Sequence, residues 1–168
     1  MKEKKSTAHV RKMARKVLKD YFNDNANANA NTLPVPIEEI VKKYNIEVLY
    51  LDTLEPNHKA IKHILPEDNR VLFGINKNHH IHSQRFSIGH ELGHHILGHP
   101  TESRCTDEEI KLYNQEADEF SSEILMPLSE IKSALTKKKS VAEIVKIFCV
   151  SKEALVIKIS SCNLLKYM

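Results

Sequence analysis

Hydrophobic positions recur along the chain at two spacings, and the changes of spacing mark its elements. Val10, Met13, Val17, Leu18 and Tyr21 share one side of a helix, so residues 1–22 predict a basic helix with an apolar stripe to dock. Residues 23–32, NDNANANANT, alternate Asn with Ala and read as a solvated linker. In LPVPIEEIVKKYNIEVLYL, Pro36 suits a first helical turn, and Ile37, Ile40, Val41 and Tyr44 form one face. Asn45 is expected to end that helix, and IEVLYL then reads as a strand. AIKHILPEDNRVLFGIN sets two apolar runs on either side of Pro66-Glu67-Asp68-Asn69, which predicts a hairpin. Helical spacing returns in QRFSIGHELGHHILGHP, with Ser83 as the expected N-cap and Gly98 and Pro100 as the stop. DEEIKLYNQEADEFSSEILM predicts a second long helix, halted by Pro127. PLSEIKSAL, SVAEIVKIFCV and SKEALVIKISSCNLL are three short helical patterns.

This order predicts an α+β fold with a small antiparallel sheet. Residues 33–130 read as the core and 131–168 as a helical tail packed on it. At 168 residues and 41% hydrophobic content the chain suffices for one domain with a real core. No run approaches the roughly 18 to 20 apolar residues of a membrane span. The opening MKEKKSTAHVRKMARK has no apolar signal core, so a cytoplasmic location is expected. Cys105, Cys149 and Cys162 form no CxxC pair and their number is odd, which fits free thiols in a reducing compartment.

The net charge of +3 is uneven: eight Lys/Arg against Glu3 and Asp20 put +6 in residues 1–22 and leave −3 for the rest. Such an arm could touch nucleic acid, but its apolar stripe favours a packed helix with a solvated basic face. The tail offers the same choice. Val141, Ile144, Val145 and Phe148, a break near Val150-Ser151, then Ala154, Leu155 and Ile159 resemble a helix-turn-helix. It lacks a basic stripe, so packing or substrate docking is expected and direct DNA binding is not.

The chemistry concentrates in one helix. His90-Glu91-Leu92-Gly93-His94 is an HExxH pattern, whose two His lie about 40° apart on one helix face and can reach one ion. Glu91 lies between them in angle, beside an open position of that ion. Phe86, Ile88, Leu92, Ile96 and Leu97 bury much of the same helix. Burying two His and a Glu without partners is costly, and Zn2+, one per chain, offsets that cost. Gly93 leaves room for backbone or metal. His95 points about 100° away from His94 and is expected at the helix surface or behind a ligand. His99 departs from the HExxHxxGxxH spacing, because Leu97 and Pro100 occupy the Gly and His positions, and is expected to cap the helix C-terminus. His79, His80 and His82 read as solvated loop residues.

A catalytic zinc site usually has a third protein ligand. The next helix offers Glu116, Asp118, Glu119 and Glu123 beside the stripe Tyr113, Ala117, Phe120, Ile124. Glu116 lies about 70° from the stripe centre, Glu123 about 90° and Glu119 about 130°, so Glu116 is favoured over a solvated alternative. Asp118 could support a ligand His.

The runs RFSIGHELGHHILGH and EADEFSSEILMP resemble the ImmA/IrrE family of metallopeptidases, as do LPVPIEEIVKKYNIEV and a hairpin strand ending in Ile75-Asn76. The resemblance covers about residues 8–130, with Ser121-Ser122 where the family has Ala. It implies a minimal zincin-like domain, zinc on His90, His94 and Glu116, and Glu91 as the catalytic carboxylate. It also implies a cytosolic protease that cleaves or inactivates a helix-turn-helix repressor of a prophage or mobile element. The substrate strand is expected along RVLFGIN, with Asn76 at its end, and Arg85 and Tyr113 as further substrate contacts. A competing reading is a DNA-binding or repressor-sequestering regulator with a non-catalytic zinc site.

Overall fold

The computed structural model describes residues 5–24 and 32–167. Helix α1 spans Thr7–Asp24, so Asn23 and Asp24 belong to it; the rest of the expected linker up to Asn31 lies outside the described residues. Helix α2 is Ile37–Lys42, and Asn45 follows it in the left-handed region (φ 58°) before strand β1, Ile46–Leu51. Strands β2, Ala60–Ile64, and β3, Val71–Asn76, form the expected hairpin. Helix α3, Ile81–Leu97, carries the histidines, and α4, Asp107–Leu125, lies against it. The tail forms α5 (Leu128–Thr136), α6 (Val141–Phe148) and α7 (Lys152–Ser161). The fold is α+β, and no helix among the described residues is long and apolar enough to cross a membrane.

The sheet corrects the expectation of antiparallel strands throughout. Its order is β1-β3-β2, with β1 parallel to β3 and only β2 antiparallel. The reason lies in β3, where Val71, Phe73, Gly74, Ile75 and Asn76 are all buried. A strand covered on both faces gains most in the middle of a sheet, so the chain carries β2 across to its far side. β3 is therefore not the free edge expected for a substrate; β2 is the edge beside α3.

Helix α3 starts at Ile81 with His80 at the N-cap, so Ser83 sits inside its first turn. Gly98 closes it in the left-handed conformation (φ 67°), where a side chain would be strained. Gly93 sets how near α4 can come. A Cβ there would stand 3.1 Å from the Ala117 Cα and 3.1 Å from the Phe120 Cβ. The room at Gly93 is thus taken by the α4 backbone. Gly93→Ala is expected to push the two helices apart and cost about 1–3 kcal/mol, read from the midpoint of urea unfolding.

The basic helix finds its partner within the chain. Val10, Ala14, Val17 and Leu18 are buried, and the adjoining cations meet an acidic stripe on α4. Lys5 reaches Glu116 (3.3 Å), Arg11 reaches Glu119 (2.6 Å) and Arg15 reaches Glu123 (3.1 Å), so α1 and α4 run side by side in one direction. In the tail, Ile144, Phe148, Leu155 and Ile159 join the common core. Lys158 of α7 is 1% exposed and bonds Glu123 of α4 at 2.6 Å, which anchors the tail to the helix beside the histidines.

Candidate active site

Helix α3 presents His90 and His94 one turn apart, and their Nε2 atoms face each other at 3.0 Å. The other nitrogen of each ring is also engaged. His90 Nδ1 bonds Asp118 Oδ1 of α4 at 2.8 Å. His94 Nδ1 meets His99 Nδ1 at 3.0 Å, and His99 Nε2 meets Glu116 Oε2 at 3.0 Å. Three imidazoles are thus strung nitrogen to nitrogen between two carboxylates of α4.

Glu91 lies beside this string on the floor of a cleft of about 630 Å3. Burial pushes its carboxyl above the usual range, so it holds a proton more readily than a surface glutamate. The wall is β2, from Ala60 to Ile64, and His58, Pro100, Glu102 and Asn114 complete the rim. Among the described residues that line the cleft, Lys62 alone is Lys or Arg; burial lowers its pKa, while the Glu91 charge works to raise it. Neither Lys62 nor Asn114 was picked out from the sequence. The first sits in a short alternating strand with no motif, and the second is a polar residue on a helix full of them.

The third residue of the expected ligand set is placed differently. Glu116 is buried (4% exposed) but turned toward Lys5 and His99: the Lys5 backbone N–H donates to Oε1 at 2.7 Å and Lys5 Nζ to Oε2 at 3.3 Å. Burial opposes its ionisation, yet the Lys5 amide and the His99 ring hold its carboxyl below the usual range. His99 corrects its expected role as a cap. Its backbone N–H closes the helix on His94 O, but its ring is buried between His94 and Glu116 and stacks on Tyr113 at 4.6 Å. Had the helix continued, His99 would lie about 140° from His94; the left-handed Gly98 turns it back.

The expected substrate contacts move away from the cleft. The Asn76 side chain is buried and donates to Glu55 O (3.2 Å) and His58 O (3.0 Å), so it pins the loop before β2. Arg85 is drawn under α2 by its bond to Val35 O at 2.7 Å. Tyr113 backs His99 rather than lining the cleft. His95 packs edge-on near Tyr44, and His79, His80 and His82 are not among the lining residues.

A family model described as the IrrE N-terminal-like domain, Peptidase_M78, matches residues 41–160. The chain belongs to this family. Peptidase_M78 is a metallopeptidase family, so membership implies a peptidase-type enzyme and a metal. A search of curated protein sequences finds no match. Among solved structures, a Mycobacterium tuberculosis transcriptional regulator aligns at TM-score 0.61 with 15% identity, over 89% of this chain and 46% of that one. This Peptidase_M78 chain therefore spans less than half of that regulator, and the likeness is one of fold.

The hydrogen-bond count tests whether this Peptidase_M78 site suits a metal. Its four links, Asp118–His90, His90–His94, His94–His99 and His99–Glu116, need four protons, and three neutral imidazoles carry three. Burial pushes the His94 ring down to about 3 and lowers His99 as well, so a fourth proton is costly to hold there. A cation held by His90 and His94 would remove the deficit. Each ring then stays neutral and donates once, to Asp118, His99 and Glu116 respectively. The spacing agrees, since two nitrogens on a tetrahedral zinc lie about 3.3 Å apart. The two His donors fit. Among the described residues no group of three or more His, Cys, Asp or Glu is arranged to hold one ion, and Glu116 bonds Lys5 and His99.

Proposed function

We propose that the chain is a zinc-dependent endopeptidase that cleaves a helix-turn-helix repressor and so relieves repression of a prophage or mobile element in the cytoplasm. The observation that carries this reading is the pair of facing imidazole nitrogens, with buried Glu91 beside them, on the floor of a cleft walled by a strand edge. His90 and His94 would hold zinc, with Glu116 as the third donor once it is released. Zinc supplies Lewis acidity toward water and the scissile carbonyl when bound.

The chain's own groups do the rest. Asp118 fixes the His90 tautomer so that Nε2 offers its lone pair to the cleft. Glu91 takes a proton from the attacking water and returns it to the leaving amine, and its raised pKa brings it nearer the pH at which both transfers are easy. The outer edge of β2 can pair with an extended segment of the substrate, which sets the peptide over Glu91. Lys62 on that strand is placed to meet negative charge that develops on a carbonyl.

The test is zinc content followed by proteolysis. Wild type purified without chelator is expected to carry about one zinc per chain, and His94→Ala none. Loaded wild type is expected to cut helix-turn-helix repressors from its own genome, and a chelated sample to leave them whole. Intact repressor recovered in a stoichiometric complex would favour sequestration, and wild type that takes up no zinc would remove the peptidase reading.

A further inference from the structure

We propose that Lys5 is an internal competitor for Glu116, which withholds this carboxylate from the metal until Lys5 lets go. The inference rests on the reading of His90 and His94 as zinc ligands. Glu116 has about four lone-pair sites and three are committed: two to Lys5, through its backbone N–H and its ammonium, and one to His99. The contact with His99 is compatible with zinc, because His99 is itself the next link behind His94. The contacts with Lys5 are not. They hold both carboxylate oxygens, and they bring a cation to the place where a second cation must share the same carboxylate.

The position of Lys5 gives this contact leverage. It stands just ahead of α1, above the rungs Arg11–Glu119 and Arg15–Glu123. Those rungs clamp α1 to α4 without touching the site, so Lys5 can leave Glu116 while the helix stays docked. Lys5 is thus a positioning residue with two states. Docked, two His would hold the metal; released, Glu116 would complete the set and the metal would bind tighter. A partner that draws Lys5 toward itself would tighten the metal further.

Zinc affinity of the full chain, measured by competition with a chromogenic chelator, tests this without a substrate. Lys5→Gln removes the ammonium and keeps the amide, and Lys5→Pro removes both donors. Zinc is expected to bind about threefold tighter in the first and about tenfold tighter in the second, the scale of a part-exposed ion pair and of an amide–carboxylate bond. Arg11→Gln cuts the next rung and is expected to leave the affinity unchanged. In Lys5→Pro/Glu116→Ala the gain is expected to vanish. Equal affinity in wild type and both Lys5 variants would overturn the proposal and leave the zinc site standing. Weaker binding in the Lys5 variants would make Lys5 a support of the site and overturn it too, as would equal tightening by Arg11→Gln. No zinc in any variant would remove the zinc reading itself, and the proposal with it.

Discussion

Glu91→Gln is expected to keep about one zinc per chain and to cut a repressor at least about a hundredfold more slowly than wild type, the lower end of what a positioned acid–base group contributes. The substitution preserves shape, and Glu91 makes no hydrogen bond to His90 or His94 that its loss would disturb. The two effects should therefore separate: metal content unchanged, turnover lost. Burial raises the Glu91 pKa, so its carboxylate accepts a proton more readily than a surface glutamate does. Gln has no carboxylate to accept one. Initial cleavage rates at matched zinc content decide the matter, and a variant that cut at the wild-type rate would show that the proton goes elsewhere. A fall in both rate and zinc would instead show that Glu91 helps to hold the ion.

The part of this site that was legible in the sequence is the part written along one helix. His90, Glu91 and His94 share a face by spacing alone, and the structure brings the two rings to 3.0 Å. The apolar phase of α4 likewise put Glu116 on the flank of the buried stripe, and it is buried. What was not legible depends on how separate elements meet. The strand order follows from burial of both faces of β3, whereas neighbours in sequence suggest a simple meander. The same reasoning put the substrate edge on β3, which is the central strand of the sheet. His99 was misread because a spacing rule assumes a continuous helix, and one left-handed glycine breaks that assumption. Asn76 and Arg85 were polar residues near a motif, but each is spent on a backbone carbonyl. The basic arm could be counted from the sequence, yet its acidic counterpart lies more than a hundred residues away, on α4.

Lys158→Met is expected to destabilise the chain by about 3–5 kcal/mol, the usual cost of removing one member of a buried ion pair. Both partners are buried, Glu123 at 0% and Lys158 at 1% exposure, and their bond is 2.6 Å long. Without the ammonium, Glu123 keeps, among the described residues, the ion pair with Arg15, whose side chain is half exposed and reaches it at 3.1 Å. A buried carboxylate with one solvated partner is poorly compensated, so most of the penalty remains. The pair itself is a different quantity from either half. Lys158→Met combined with Glu123→Leu fills the same space with apolar atoms and is expected to recover most of the loss. Urea unfolding of wild type, both single variants and the double variant gives the coupling directly. If Lys158→Met cost less than about 1 kcal/mol, Glu123 would not be an ion that depends on Lys158. A large coupling would have a consequence at the site. Glu123 is two turns along α4 from Glu116, on the same acidic stripe, and Lys158 ties that stripe to α7 as α1 ties it from the other side. The tail would then be one of the two clamps that hold α4, and with it Asp118 and Glu116, against the histidine helix.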